Sequence, residues 1–550
     1  MKKRTAFLAS LAFVCSAAMP CRGQTPVAAS IPPSEAIRLK VKSMHEALYG
    51  LAGAPELRPP PAILDMGRPK PWSPAFWRGR LAGSPVPEVG LSGLFPIREA
   101  GEAEIGILST GEDSLEARLQ TLMNAKRSVR IQALIFTGDE SGRAIMRILK
   151  EKKKAGLDVR VIVDAFSNIL TSKGAMDLAT QMMYFDLKES GIEVEGYEAL
   201  LLQWMNEISF RDPKQPCKRF HDKMWIIDAE EPAEAVAIVG GMNIANEYFR
   251  TRPDAAYRWR DQDFIVKGAV VSDVAAAFDR NYADQKAIKN SRPWLLNTDK
   301  AWKLWRKHFD ATVERLGIKF PTNAAALAKV QDIQARAGQR RFPTAPAKVR
   351  FLQSRPRYEE SYILQAYEDL FASARQELLV VNAYFIPGER ILEGLKDAAR
   401  QGANVTVITN SAATNDLPQM AYASRYVYKE LLAVNADPAA IENGGRLAIA
   451  EWNGHKFGEG TLHAKFAVAD RRFVIGGSYN LDLRSENLNS ETVIQFESEA
   501  LGSELASRII GEDLRKCEFI TQEAAEEFHN PKNPPDMLQL LFWNGIKGEL

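Results

Sequence analysis

The order strand, helix, strand, helix, strand occurs twice in this 550-residue chain at similar spacing, and such a repeat leaves few folds open. In the first copy Ile105-Gly106-Ile107-Leu108 predicts a strand, and a helix follows from about Ser114 to Ala125 with Leu115, Leu119 and Leu122 at helical spacing. Val129 to Phe136 then reads as a strand, Gly142 to Lys154 as a helix, and Val159 to Val163 as a strand closed by Asp164. The second copy runs in the same order: strand Val349 to Leu352, helix Ser361 to Ala374, strand Glu377 to Phe385, helix Ile391 to Arg400, strand Val405 to Ile408. Strands alternating with helices predict parallel β-α-β units with both sheet faces covered. The expected class is α/β, with two similar halves, each a mixed, mostly parallel sheet flanked by helices.

Each copy ends in one signature. The first reads His221-Asp222-Lys223, an apolar run to Asp228, then Gly240-Gly241-Met242-Asn243; the second reads His463-Ala464-Lys465, a run to Asp470, then Gly476-Gly477-Ser478-Tyr479-Asn480. The segment after each His is apolar and strand-length, so His and Lys at i and i+2 share a face. An imidazole beside an ammonium suits one phosphate: the imidazole serves as nucleophile or general acid near neutral pH, and the lysine supplies a point charge for phosphoryl oxygens. A single His-x-Lys means little; two in corresponding places of a repeat, each with Asp and Asn, mark a phosphodiester site.

An acid also opens the apolar strand after each Asn. Aligning Asp261-Gln262-Asp263-Phe264 with Glu491-Thr492-Val493 makes Asp261 the counterpart of Glu491, with Asp263 as the alternate. A carboxylate there can hold an imidazole in one tautomer. Asp228 and Asp470 follow buried strands and read as structural caps.

Residues 96–290 and 346–550 carry the halves, the second with a helical tail. Residues 291–345 form a helical connector and linker, interrupted at Pro321. Within it Trp294, Trp302, Trp305 and Phe309 either touch lipid or, more often for such clusters, pack between domains. Residues 24–95, with Pro59-Pro60-Pro61, read as an N-terminal extension. Ahead of them Lys2, Lys3 and Arg4, the apolar run Ala6 to Val14 and the small residues Cys15 to Ala18 have the order of an export signal over residues 1–23, predicting a periplasmic or secreted protein. Of the 4 cysteines, Cys15 and Cys21 fall in or beside that signal, while Cys217 and Cys517 either pair or stay separate thiols. No cysteine or histidine spacing suits zinc. With 71 basic and 69 acidic residues the chain gives no global electrostatic reason to bind nucleic acid, although a local basic cleft is compatible with that sum.

These motifs resemble the phospholipase D superfamily, whose mark is a duplicated HxK(x)4D followed by Gly-Ser/Thr-x-Asn. The resemblance covers roughly 95–290 and 345–515. Tyr384-Phe385-Ile386-Pro387 and Asn480-Leu481-Asp482-Leu483-Arg484-Ser485 are similar to its bacterial cardiolipin synthase-like members. It implies a phospholipase D-like fold in which both motifs meet at one site between the halves. One His attacks phosphorus to give a phosphohistidine; the other protonates the leaving alcohol and then activates water or an acceptor alcohol. Family habit makes His221 the nucleophile and His463 the acid/base, with Lys223, Lys465, Asn243, Asn480 and Ser478 on the phosphate and no metal or cofactor. Two departures stand out: Gly241 where the family has Ser or Thr, and about five extra residues around Glu230 to Ala235 that suit a longer turn. The expected function is hydrolysis or phosphatidyl transfer on a phospholipid at a membrane surface, without obligatory nucleic acid; the alternative is an exported, metal-independent nuclease. The segment Met537 to Trp543 either meets that membrane or docks on the protein body.

Overall fold

The computed structural model describes residues 95–164, 178–197, 219–290, 298–320, 322–355 and 360–528. The export signal, nearly all of the extension, Trp294, Cys217 and the segment Met537 to Trp543 lie outside these residues.

The first half runs β1 (Ala103–Leu108), α1 (Gly111–Asn124), β2 (Ser128–Ala133), α2 (Glu140–Lys154), β3 (Asp158–Asp164), α3 (Leu178–Glu189), β4 (Glu193–Tyr197), β5 (Met224–Ile227), β6 (Val236–Gly240), β7 (Asp263–Gly268) and α4 (Val270–Asn290). Two connector helices follow, α5 (Thr298–Leu316) and α6 (Ala324–Arg336), then β8 (Ala345–Pro346). The second half runs β9 (Lys348–Ser354), α7 (Tyr362–Ser373), β10 (Glu377–Asn382), β11 (Phe385–Ile386), α8 (Glu389–Arg400), β12 (Asn404–Asn410), α9 (Pro418–Leu432), β13 (Arg446–Trp452), β14 (Lys465–Ala469), β15 (Phe473–Gly477), β16 (Leu481–Asp482), β17 (Glu491–Glu497), α10 (Glu499–Arg508) and β18 (Cys517–Phe519). Local signals fix the ends: Thr110 caps α1 by accepting from the Asp113 amide, and Asp139 caps α2 through Gly142.

The repeat is visible strand for strand. One sheet has the order β4-β3-β2-β5-β6-β7-β1-β8 and the other β18-β13-β12-β10-β14-β15-β17-β9. Of the expected parallel units, β2–β3 and β10–β12 are present and are extended by β4 and β13, whereas the expected members β1 and β9 lie across their sheets, antiparallel to β7 and β17. The expectation of mostly parallel sheets is corrected, because the remaining pairings, from β2–β5 to β1–β8 and from β10–β14 to β17–β9, are antiparallel. The reason is local. Residues 228–235 and 470–472 connect the strands after each His-x-Lys, and such spans are too short for a parallel crossover. The extra residues of the first motif lie in that longer turn, where Glu230 takes Arg130 and Ser128.

A layer of helices covers the outer face of each sheet. The opposite faces meet in a shared core that includes Ile226, Val239 and Phe264 from one half and Phe466, Ile494 and Phe496 from the other, with Phe264 and Phe496 ring centroids 5.6 Å apart. Both sheet faces are therefore buried, and the cover of the inner face is the sister sheet together with α4 and α10, which add Val274, Phe278 and Leu505 to the shared core. In the connector, Phe309 packs on Phe185 of α3 at 5.4 Å, and Arg306 bonds Asp186. That is packing against the first half.

Candidate active site

The two His-x-Lys segments lie where the halves touch. Each enters its strand beside the C-terminal end of a parallel strand: Met224 pairs with Gln132 of β2, and Lys465 with Asn382 of β10. Each is also clamped by the other half's backbone. His221 N donates to Ser490 O at 2.9 Å and Ser490 N to Arg219 O at 2.8 Å; His463 N donates to Arg260 O at 2.7 Å and Arg260 N to Thr461 O at 2.8 Å. Ser490 and Arg260 thus occupy equivalent places, and the next residues, Glu491 and Asp261, are equivalent too.

Those carboxylates cross over. His221 Nδ1 lies 2.8 Å from Glu491 Oε2, and His463 Nδ1 lies 2.6 Å from Asp261 Oδ2. A carboxylate acceptor places the proton on Nδ1 and leaves Nε2 of each imidazole as the nitrogen available for chemistry. Asp263, the alternate, is committed to Arg118 at 2.8 Å and takes no part. Lys223 Nζ donates to the His221 carbonyl at 2.8 Å, and Lys465 does the same to its own His463. Lys465 Nζ also lies 2.9 Å from His463 Nδ1, but with the Nδ1 proton given to Asp261 no lone pair remains there, so the ammonium is a close neighbour rather than a hydrogen-bond partner of that nitrogen.

Burial dominates the electrostatics. It pushes Lys223 down to about 7 and Lys465 down to about 8, and raises Asp261 to about 6 and Glu491 to about 7. Both imidazoles are held well below their ordinary value, by burial first and by the two lysines next, so each rests neutral.

Ser478 was expected on the phosphate. Its hydroxyl instead donates to Glu491 Oε2 at 2.5 Å while accepting from the Thr492 amide at 2.9 Å. Ser485 donates to the same carboxylate at 2.9 Å. This corrects the reading of Gly241 as well: what is missing there is a donor to a carboxylate. A Cβ on Gly241 would collide with the Asp261 carboxylate, so the shorter Asp needs the bare glycine to sit as it does. Asn243 is partly spent, its Oδ1 accepting from the Ile135 amide at 3.1 Å and its Nδ2 donating to the Tyr248 hydroxyl at 2.9 Å. Asn480 differs: its Oδ1 is buried without a partner among the described residues.

Asp228 and Asp470 are structural. Asp228 accepts the amides of Lys126, Arg127 and Ser128, and Asp470 those of Arg375, Gln376 and Glu377, each from a left-handed backbone with φ of 52° and 50°. Cys517 sends its thiol to the Asp513 carbonyl at 3.2 Å.

Residues outside the motifs complete the site. Tyr248, Trp259 and Tyr384 set ring centroids 5.0, 5.5 and 6.2 Å from His463. Asn410 holds the backbone just before His463, donating to Leu462 O at 2.6 Å and accepting from Leu462 N at 2.9 Å. Its counterpart at the end of β3 is Asp164, near Arg219. Asn410 and Asp164 close corresponding strands of the repeat, a signal that was available in the sequence; of the three rings, Tyr384 lies in the family-like stretch Tyr384 to Pro387, whereas Tyr248 and Trp259 offered no signal. Among the described residues no three His, Cys, Asp or Glu side chains converge as metal ligands.

A duplicated mixed sheet with two crosswise-held His-x-Lys motifs at the junction defines a class, and this chain belongs to the phospholipase D superfamily: the family described as "Cardiolipin synthase, PLD-like domain" matches residues 119–281 and 367–511. Among its relatives, a protein of Clostridium perfringens described as cardiolipin synthase is 24% identical over 427 residues, covering 77% of this chain and 73% of that one. A Helicobacter pylori protein described as uncharacterized is 25% identical over 399 residues, 71% of this chain and 76% of that one. The crystal structure of a phosphatidylserine synthase from Haemophilus influenzae shares the fold, with TM-score 0.56 and 16% identity over 84% of this chain and 96% of that one. The chain is a phospholipase D-like enzyme.

Proposed function

We propose that the chain transfers a phosphatidyl group from a phospholipid to an alcohol or to water through a phosphohistidine on His221. Nε2 of neutral His221 attacks phosphorus; the P–O bond to the leaving alcohol breaks, and that oxygen takes the proton of His463 Nε2. The acceptor hydroxyl then gives its proton back to His463 and attacks phosphorus, releasing His221. Lys223, Lys465 and Asn480 balance the phosphoryl oxygens, with Asn243 supplying its remaining amide proton. The observation that carries this reading is the crosswise anchoring of both Nδ1 atoms, which supplies a held nucleophile and a held acid at one junction. Burial and then the two lysines keep His463 neutral, and a phosphate bound between those lysines offsets their share, which favours the protonated, acidic form.

The lipid substrate is supported by the cardiolipin synthase relative. Labelled phosphatidylglycerol, offered with and without added glycerol and with a chelator present, tests the reading. Headgroup release or exchange is expected, with loss in His221→Ala and His463→Ala and an acid-labile label accumulating on His221. Cleavage of DNA with no lipid turnover would replace it by the nuclease reading, and activity restored by metal after chelation would overturn the mechanism. The leader-like residues 1–23 support export, tested by fractionating cells for the mature chain.

A further inference from the structure

The turn between β12 and α9 ends beside the catalytic pair. Asn410 brackets the backbone of Leu462, and the Thr461 hydroxyl donates to the Thr414 carbonyl at 2.8 Å. Asn415 Oδ1 accepts the Leu417 amide at 2.9 Å and so fixes the backbone on either side of Asp416. The turn that braces the approach to His463 therefore also sets the position of Asp416.

Asp416 is exposed, and its carboxylate is turned to the aromatic wall that Tyr248, Trp259 and Tyr384 build at His463. The Tyr384 hydroxyl donates to it, 2.8 Å from each oxygen. The same ring meets the His463 ring edge-on at 6.2 Å, and Lys465 Nζ lies 5.9 Å from its centroid. A carboxylate offers about four acceptor positions, and one phenol proton leaves most of them open to the mouth of the site.

A carboxylate repels phosphoryl oxygens, so in a phosphodiester site its use lies with the other part of the substrate. In the reaction proposed above, His463 protonates the leaving alcohol and takes the proton of the acceptor. Both alcohols therefore pass on the His463 side, where the wall flanks their carbons and Asp416 stands at its edge. Lys465 acts on Asp416 through its charge, so a neutral hydroxyl can meet that carboxylate without bringing a counter-charge of its own.

We propose that Asp416, aimed by Tyr384, is a specificity residue of the alcohol subsite: it accepts a hydrogen bond from a second hydroxyl of the alcohol and so selects a polyol over a monohydric alcohol. This rests on the phosphatidyl transfer proposed above and adds to it the class of alcohol taken.

Phosphatidylglycerol vesicles, offered to the full chain with an equimolar mixture of 1,2-propanediol and 1-propanol, test it, the two phosphatidyl products being counted by mass spectrometry. Both alcohols compete for one phosphohistidine, so the product ratio is independent of how fast that intermediate forms and of how much enzyme is folded. The wild type should favour the diol by about tenfold or more, the scale of one hydrogen bond to a charged acceptor. Asp416→Ala should bring the ratio close to unity, and Asp416→Asn, which keeps an acceptor oxygen without the charge, should fall between. Tyr384→Phe frees the carboxylate to swing and should lower the ratio as well. A purely structural Asp416 would lower total product and leave the ratio where it was. A wild-type ratio near unity, or one unmoved in Asp416→Ala, would overturn the proposal; should that variant make too little product to count, an unmoved ratio in Asp416→Asn does the same. Ethanolamine outcompeting 1,2-propanediol would also overturn it, because the carboxylate would then be reading charge rather than a hydroxyl. No lipid product from the wild type with any alcohol would instead strike the transfer reading itself.

Discussion

Glu491, carried by the second half, holds Nδ1 of His221, carried by the first, at 2.8 Å, and Ser478 and Ser485 both donate to that carboxylate. The reciprocal pair is Asp261 with His463. Each half therefore supplies the anchor for its neighbour's imidazole, and neither half holds an oriented histidine of its own. Replacing the anchor without changing its shape isolates this role. Glu491→Gln presents an amide that can donate to Nδ1 and so select the wrong tautomer. The expected loss is about two to four orders of magnitude in kcat, with the thermal midpoint little changed. Steady-state kinetics beside a circular dichroism melt checks it; near-normal turnover would show that the carboxylate does not set the tautomer.

Ser478 and Gly241 occupy corresponding places with opposite requirements. The Ser478 hydroxyl lowers the affinity of Glu491 for protons, against the burial that pushes it up to about 7. Ser478→Ala removes that donor, so the carboxyl should stay protonated to higher pH. The acid limb of kcat/KM then moves upward, and activity at pH 6 falls more than at pH 8. Gly241→Ser should be worse at every pH, because its Cβ meets the Asp261 carboxylate rather than adding a useful hydroxyl. A pH profile of both variants distinguishes them; an unmoved acid limb in Ser478→Ala would return that serine to the phosphate.

Much of this site was legible in the sequence because it repeats. His221 and His463, Lys223 and Lys465, Asn243 and Asn480, and the equivalence of Asp261 with Glu491 all emerge from matching one half to the other. Matching yields equivalence, however, and not partnership. That Asp261 serves His463 depends on how two sheets dock, which no local pattern encodes. Matching the halves does not find the aromatic wall, because Tyr248 aligns with Ser485 and Tyr384 with Ile135; Tyr384 was reached only through the family-like stretch Tyr384 to Pro387. The antiparallel half of each sheet was missed because apolar strands read alike in either direction, and only the short turns at 228–235 and 470–472 betray the reversal.

The pH dependence follows from burial. Lys223 at about 7 and Lys465 at about 8 lose their charge as pH rises, and with it the hold on phosphoryl oxygens that we propose for them; Asp261 at about 6 and Glu491 at about 7 lose theirs as pH falls. A bell with its maximum near neutrality is expected. Lys465→Arg keeps the charge at high pH, so the alkaline limb should change from a two-proton to a one-proton slope even as the maximum falls. The same depressed lysine pKa affects stability. Its folded value lies below the unfolded one, so the contribution is full above about 10.5 and is lost as pH falls through about 8. Lys465→Met should therefore melt higher than wild type at pH 7 while abolishing turnover. A lower melting point would show that Lys465 supports the fold rather than straining it.

Arg260 of the first half and Asp513 of the second form a buried two-pronged pair, Nε to Oδ1 at 3.0 Å and Nη2 to Oδ2 at 2.9 Å. The same arginine sends Nη1 to the Asp261 carbonyl at 2.8 Å, and its own carbonyl receives the His463 amide at 2.7 Å. It therefore ties the docking of the halves to the anchor of one catalytic imidazole. Asp513→Ala strands a buried guanidinium, which destabilises by about 3–5 kcal/mol and should lower the thermal midpoint by several degrees. Arg260→Met combined with Asp513→Leu removes both charges and replaces them with apolar volume, so most of that stability should return. Activity should not return with it, because the bond from Nη1 to Asp261 is gone and His463 is held less firmly. Calorimetry and kcat measured on the single and double variants test the split. Recovery of both together would mean that the pair only fastens the halves, and that Asp261 finds His463 without help.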